Sequence, residues 1–342
     1  MMRLPSFRFA QVETIEEAAA LLAKDPDNTR LVAGGTDLWP NMKRRHQQAE
    51  TVVSLAKIPG LTGISGDGKA ATTIGAMTTL TDIASSEFMQ ANYPGVVRAV
   101  ASISAPVLRN MGTIGGNLCL DTRCTYYNQN EEWRRSIDYC MKEKGSTCWV
   151  APSSSRCWAI SASDAAPVLC AINAEVELVS KNGKRTIPLA DLYQDDGINY
   201  LLKSRDEILT RLILPTPGTW KATYWKLRRR GSIDFPVLGV GAAMNFAPDG
   251  SVQDARIFLG AVRSAPTRCE ASEQAIIGAQ LNESNIAEAA TCARKASSPL
   301  DNTDFVVNWR KKMVERYVEG ALRELGNLPE TVKSPPHGNW AQ

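Results

Sequence analysis

Two glycine turns, about 80 residues apart, restrict what this chain can fold into more than any other feature. Gly34-Gly35-Thr36-Asp37 follows the short run Arg30–Ala33 and leads into a helical stretch. Gly112-Thr113-Ile114-Gly115-Gly116-Asn117 follows a second helical stretch, 95–110, with a break near Pro106. Glycine lets the main chain approach a ligand closely, and free N–H groups at a helix start donate to phosphate oxygens. One such turn is more often just a tight turn. Two of them are better explained by one extended diphosphate ligand held from both sides. Neither is a G-x-G-x-x-G fingerprint, and no Gly-Lys-Ser/Thr follows to make a P-loop.

The elements around these turns can be read from spacing. Thr14 and Glu17 form a capping box, and Ile15, Ala18, Ala19 and Leu22 recur at helical intervals, which predicts a helix over 15–24. With strands at Arg30–Ala33 and Thr51–Leu55, the first 55 residues form a small β-α-β unit. A strand at 71–74 and a helix through Ile83 and Phe88 follow. Regular structure resumes after Ser163-Asp164: Ala174–Val179 alternates as a strand, Lys181-Asn182-Gly183-Lys184 turns it into a partner, and Ile208–Leu214 is a further strand. Pro217-Gly218 reads as a boundary. Beyond it, strands at 237–246 and 252–259 precede helices at 283–296 and 303–325. The last helix is expected to bury Val306, Trp309, Met313, Tyr317, Ala321 and Leu325. Strands first and helices later is an α+β layout.

The stretch 119–160 departs from this regularity. It holds five cysteines with Trp133, Trp149, Trp158, Tyr126, Tyr127 and Tyr139, and it shows little periodicity. A long irregular segment of this kind is uncommon unless functional or internally stapled, so it reads as an insertion.

At 342 residues the chain exceeds one ordinary core. Its net charge of +3, from 39 basic and 36 acidic residues, excludes a strongly basic nucleic-acid binder. No apolar run reaches 18 residues, so no membrane span is expected. The first residues, Met-Met-Arg-Leu-Pro, lead to Glu13, Glu16 and Glu17 without an apolar core, so a cytoplasmic protein without a secretory signal is expected. With only His46 and His337, a histidine-based metal site or a Ser-His-Asp triad has almost nothing to draw on. Eight cysteines remain, six of them between 119 and 170. In such a context clustered cysteines favour a metal or cluster over disulfides, with buried free thiols as the plainer alternative.

Three motifs in order then carry a likeness. Val32-Ala33-Gly34-Gly35-Thr36-Asp37-Leu38, Ile74-Gly75-Ala76-Met77-Thr78-Thr79-Leu80 and Gly112–Leu118 resemble the FAD-binding medium (β) subunit of the xanthine dehydrogenase / molybdenum hydroxylase family. Asp164 in Ser-Asp-Ala-Ala-Pro-Val, Ile208-Leu209 before Pro215, and Lys226 in Tyr-Trp-Lys-Leu-Arg extend the match, which covers residues 3–325.

The resemblance implies an α+β fold. It has a two-lobed FAD-binding domain of the PCMH/vanillyl-alcohol-oxidase kind and a C-terminal α+β domain like that of the CO dehydrogenase flavoprotein. The implied divisions are 1–57 and 58–217 for the lobes, 218–326 for the C-terminal domain and 327–342 for a proline-rich tail. FAD would be held by Val32 to Leu38 (Val32, Ala33, Gly34, Gly35, Thr36, Asp37, Leu38), by Thr113, Gly115, Gly116 and Asn117, and by Thr79, Asp164, Leu209 and Lys226.

Most family members run almost directly from the Gly-Gly-Asn turn to the Ser-Asp motif. The insertion here, about 119–160, carries Cys124, Cys140, Cys148 and Cys157 at separations of 16, 8 and 9. It looks like the insertion in β subunits of 4-hydroxybenzoyl-CoA reductases, which implies an extra 4Fe-4S cluster on those four thiolates. Structural zinc is the alternative, although the spacing is unlike compact C-x2-C ribbons. Cys119, Cys170, Cys269 and Cys292 read as small core residues. The aromatic residues of the insertion either shield the cluster or, more simply, form a small core. Arg228-Arg229-Arg230 is either an exposed loop or a docking aid for an acidic donor.

The implied role is electron transfer, with a molybdenum-cofactor large subunit and a 2Fe-2S small subunit as partners in a dimer of heterotrimers and ferredoxin as donor. The substrate site would lie on the large subunit, so no catalytic residue is expected in this chain. The alternatives are the FAD subunit of another molybdenum hydroxylase, or a flavin-binding module with a zinc-stapled loop.

Overall fold

The computed structural model describes residues 3–331 of the chain. The N-terminal sheet is parallel, with Arg8–Gln11, Thr51–Ser54 and Thr29–Val32 side by side in that order. The helix Ile15–Lys24 joins the two outer strands, Arg8–Gln11 and Thr29–Val32, as the crossover that parallel strands need, and it buries Ala18, Ala19 and Leu22. Thr14 caps that helix by accepting from the Glu17 N–H at 3.2 Å. The return bond differs from a capping box: Glu17 Oε2 accepts from the Glu13 N–H at 3.0 Å, one residue further back than expected. The strand Arg8–Gln11 was not foreseen, because its mostly exposed side chains leave no alternation to read.

The central sheet is antiparallel, in the order Ile64–Ser65, Thr72–Gly75, Ile208–Leu214, Glu175–Ser180, Gly183–Pro188. The helix expected through Ile83 and Phe88 is two helices, Leu80–Ser85 and Glu87–Asn92. Ser86 ends the first and caps the second through the Met89 N–H. The stretch 95–110 is the helix Pro94–Ala101 and the single turn Pro106–Arg109, which Pro106 opens because it has no N–H to lose. The second glycine turn is itself a short helix, Ile114–Leu118, whose cap Thr113 accepts from the Gly116 N–H at 3.1 Å. Ala165–Ala171 is a helix that spacing did not show, because all seven of its residues are buried and it has no polar face.

The C-terminal sheet is antiparallel, in the order Thr267–Arg268, Val252–Gly260, Leu238–Phe246, Lys221–Leu227. Helices Glu283–Ala296 and Val307–Leu325 cover it. The last helix starts four residues later than expected, after Phe305 at φ +68°. It is also rotated from the expected face: Val306 is 71% exposed, while Arg310, Val314, Val318 and Leu322 are buried with Ala321 and Leu325. Trp309, Met313 and Tyr317 lie half-buried along the edge.

Helix Ala165–Ala171 joins the two halves. It rests on strands Leu238–Phe246 and Val252–Gly260, and the approach depends on Gly241, where a Cβ would stand 2.4 Å from the Pro167 carbonyl carbon. Among the described residues, no helix is long and apolar enough to cross a membrane. The end of the expected tail, 332–342 with His337, lies outside the described residues.

Candidate functional site

The two glycine turns meet main chain to main chain. A Cβ on Gly34 would stand 1.7 Å from the Met111 carbonyl oxygen and 3.1 Å from the Gly112 nitrogen. Gly35 sits at φ +72°, and a Cβ there would lie 2.2 Å from Trp39 Nε1. Only glycine satisfies both positions. A cavity of about 810 Å³ opens beside the junction.

Of the residues expected at a cofactor, Ala33, Gly34, Gly35, Thr36, Asp37, Leu38, Thr113, Gly115, Gly116, Asn117, Asp164 and Leu209 line this cavity. Val32, Thr79 and Lys226 stand back from it. The Val32 side chain packs with Met42, Ala49 and Val52. Thr79 caps the helix Leu80–Ser85, accepting from the Asp82 N–H at 3.1 Å. Lys226 lies beneath the wall and spends its three N–H donors on Asp164 Oδ2 at 2.8 Å, the Asp234 carbonyl at 2.9 Å and the Ser102 carbonyl at 3.0 Å. Its part is to support Asp164, which also accepts from the Tyr224 hydroxyl at 2.8 Å. Burial pushes the Asp164 carboxyl up, against the pull of Lys226. Asn117 Oδ1 accepts from Ser163 Oγ at 2.7 Å, tying the second turn to the start of helix Ala165–Ala171.

Arg123, Tyr200 and Phe235 line the same cavity and were not expected there. The Arg123 guanidinium pairs with Asp37 and lies over the Phe235 ring, 4.5 Å from its centroid. The Asp37 carboxyl, raised by burial and pulled back by Arg123, is therefore engaged within the protein, as is its bond from Asn41 Nδ2 at 3.0 Å. No spacing rule joins positions 37, 123 and 235, so the fold alone reveals this group.

The insertion leaves and rejoins the body at one point. The Arg123 N–H donates to the Ile160 carbonyl at 2.9 Å, and the Ile160 N–H donates back at 2.8 Å. One helix, Glu131–Ser136, lies within it. Cys124, Cys140, Cys148 and Cys157 are all buried and line one pocket, around a void of about 10 Å³. One main-chain N–H, that of Ala159, donates to a sulfur, Cys157 Sγ, at 3.4 Å. Burial pushes the Cys124 thiol up to about 12 and the Cys157 thiol up to about 11, and raises Cys140 as well.

Among the described residues, no three His, Cys, Asp or Glu side chains come close enough to hold a metal ion. Neither the expected four-cysteine cluster site nor the zinc alternative is thus assembled as a metal-holding group among the described residues. Tyr127 is buried beside the cysteines and Tyr126 packs against them, whereas Trp133 and Trp149 are over a third exposed. Cys170 and Cys269 sit in apolar cores as expected, and Cys292 is half-buried. Cys119 is half-buried too, but it lines the large cavity. Arg229 and Arg230 are exposed and paired with Asp304 and Asp234.

Comparison with known proteins defines the class. The pattern of the FAD binding domain in molybdopterin dehydrogenase matches residues 5–217, and that of the CO dehydrogenase flavoprotein C-terminal domain matches 222–325. The FAD-binding subunit of aldehyde oxidoreductase from Escherichia coli is 30% identical over 315 residues, covering 88% of this chain and 93% of that protein. The nicotine 6-hydroxylase medium subunit of Paenarthrobacter nicotinovorans is 27% identical, covering 95% and 99%. The structure of carbon monoxide dehydrogenase from Hydrogenophaga pseudoflava, in a form lacking the Mo-pyranopterin moiety, superposes with a TM-score of 0.77 at 26% identity, covering 95% and 98%. The chain belongs to the family of FAD-binding medium subunits of molybdenum hydroxylases, and is the flavoprotein component of a molybdenum-dependent oxidoreductase.

Proposed function

We propose that this chain is the FAD- and 4Fe-4S-containing electron-transfer subunit of a molybdenum enzyme of the 4-hydroxybenzoyl-CoA reductase type, which removes a phenolic hydroxyl to give benzoyl-CoA. The observation that supports it is the cysteine pocket. Four buried thiols from one insertion line one pocket, and the Ala159 N–H donates to Cys157 Sγ at 3.4 Å. Hydrogen bonds of this kind are a means by which proteins tune iron–sulfur centres. A single tetrahedral ion would hold each sulfur at about 2.3 Å and draw all four together, whereas a cubane core stands between its ligands and keeps them apart. Loading a cluster requires the thiols to lose their protons.

When bound, FAD and the cluster supply the redox chemistry. The residues of this chain bind, orient and shield them. The cavity residues from Ala33 to Leu38 and Thr113 to Asn117 would hold FAD, with Asp164 braced from below by Lys226. Cys124, Cys140, Cys148 and Cys157 would hold the cluster. The partners in this reading are a molybdenum-cofactor large subunit, which binds the substrate, and a 2Fe-2S small subunit, in a dimer of heterotrimers with ferredoxin as donor. No side chain here acts as a general acid or base.

The names of the relatives favour a second reading. They act on nicotine and aldehydes, so the chain would serve a hydroxylase of another substrate and use the insertion as an extra relay.

The test is anaerobic purification with co-expressed partners, measuring iron, zinc and flavin per protomer. About four irons beyond those of the small subunit, lost in Cys140→Ser while flavin stays, support the cluster. Zinc, or no metal, sinks it. Given the cluster, failure to dehydroxylate 4-hydroxybenzoyl-CoA with reduced ferredoxin selects the second reading.

A further inference from the structure

Lys142 stands between the cysteine pocket and the flavin cavity. It follows Cys140 by two residues and lines the cysteine pocket. Its Nζ lies 2.8 Å from Asp121 Oδ1, 2.8 Å from Thr122 Oγ1 and 2.6 Å from the Gly197 carbonyl. Three acceptors for three N–H groups describe an ammonium held in one place. The pair is nearly dry, with side-chain exposures of 6% for Lys142 and 8% for Asp121. The same nitrogen lies 5.0 Å from the Tyr127 ring centroid on the cysteine side and 5.4 Å from the Tyr200 ring centroid on the cavity side. Asp121 also lines the cavity. Asp121 Oδ2 also accepts from the Tyr127 hydroxyl at 3.3 Å, but Lys142 lines the cysteine pocket and not the cavity, and Asp121 the reverse, so the pair is oriented with its cation on the cysteine side and its anion on the flavin side.

We propose that Lys142 is a tuning residue, whose oriented pair with Asp121 raises the reduction potential of the group held by the cysteines relative to the one held in the cavity. The proposal rests on the cluster reading above. Adding an electron to a cluster adds negative charge in a region of low dielectric, where a fixed cation nearby stabilises it and a fixed anion opposes it. Lys142 follows Cys140 by two residues and lines the same pocket as the four cysteines, so its charge acts at short range there. Because the acceptors of Lys142 come from Asp121, Thr122 and Gly197, outside the loop that carries Cys140, the cation cannot drift from the wall.

The test uses the full complex, purified anaerobically, with iron counted first and the iron–sulfur midpoint followed by EPR-monitored titration. Lys142→Met should keep its iron and flavin while the reduced-to-oxidised ratio at fixed potential falls about tenfold, a downward shift of ~59 mV for one electron. Asp121→Asn should shift the midpoint upward, and Lys142→Arg should hold it near the wild-type value. Opposite signs for Lys142→Met and Asp121→Asn are what packing damage alone would not produce. Wild-type potentials in both variants at full iron content overturn the proposal, as do shifts of the same sign. Loss of iron in Lys142→Met together with an unshifted Asp121→Asn overturns it too. A wild-type complex without the extra iron overturns the cluster reading itself, which the initial iron count distinguishes.

Discussion

At the scale of single residues, the junction of the glycine turns is the least tolerant place in the molecule. Gly34 faces a carbonyl oxygen that belongs to main chain, so no rotamer change can make room for a methyl group. Gly34→Ala should cost about 3 kcal/mol or more, the upper end for overpacking, and lose flavin. A flavin-to-protein ratio and a melting temperature both at wild-type values would show that the turns can part. His46 offers a pH-dependent test. Its Nε2–H donates to the Gln129 carbonyl at 2.9 Å, while Nδ1 is buried without a partner, and burial lowers its pKa from 6.5 to about 4. A folded-state pKa below the unfolded one gives stability that is present above pH 6.5 and is lost as pH falls toward 4. His46→Gln, which can keep the bond to Gln129, should therefore flatten the acid limb. Chemical unfolding of both proteins at pH 7, 5.5 and 4 measures this, and a constant stability difference across that range would refute it.

At the scale of elements, the buried guanidinium of Arg310 does for the last helix what an apolar residue could not. It donates to the carbonyls of Leu300 at 2.8 Å, Val237 at 3.1 Å and Ala261 at 2.6 Å, binding the helix start to two strand ends. Arg310→Leu leaves those acceptors dry and should lower stability by about 3 kcal/mol or more, read from the denaturant midpoint at unchanged slope. A loss below about 1 kcal/mol would mean that water replaces the guanidinium. This helix also shows where sequence reading ends. The spacing Val306, Trp309, Met313, Tyr317 marks an apolar stripe, yet the buried face lies one position over, because a charged residue satisfied by carbonyls can sit inside. Helices with one polar face, such as Ile15–Lys24 and Glu283–Ala296, were legible to the residue. Ala165–Ala171 was not, since burial on every side erases periodicity. At the site, the glycine turns were legible because their chemistry is local. Arg123, Phe235 and the oriented pair Lys142–Asp121 were not, because they are assembled from distant segments.

At the scale of the whole molecule, the two halves share buried surface. Helix Ala165–Ala171, which belongs to the flavin-binding half, rests on the C-terminal sheet, and Arg98 pairs with Glu324 at 2.8 Å across the same boundary. The N-terminal portion, cut at 217, would expose the apolar side of that helix. The apo chain should accordingly melt as one calorimetric transition, with van't Hoff and calorimetric enthalpies equal. Two resolved transitions would show that the halves are thermodynamically separate. The insertion stands outside this bargain in one respect. Its ends are paired at Arg123 and Ile160, where its chain leaves and rejoins the body, and between them Tyr127 donates to the His46 carbonyl, Arg134 to the Arg44 carbonyl and Arg156 to Asp195. None of the strands of the three sheets lies within it, so a lineage or an engineer could change its length without altering a strand pairing. The junction is thus a place where chain can be added to this scaffold, and what is added there must replace the bonds that the present segment makes to Arg44, His46 and Asp195.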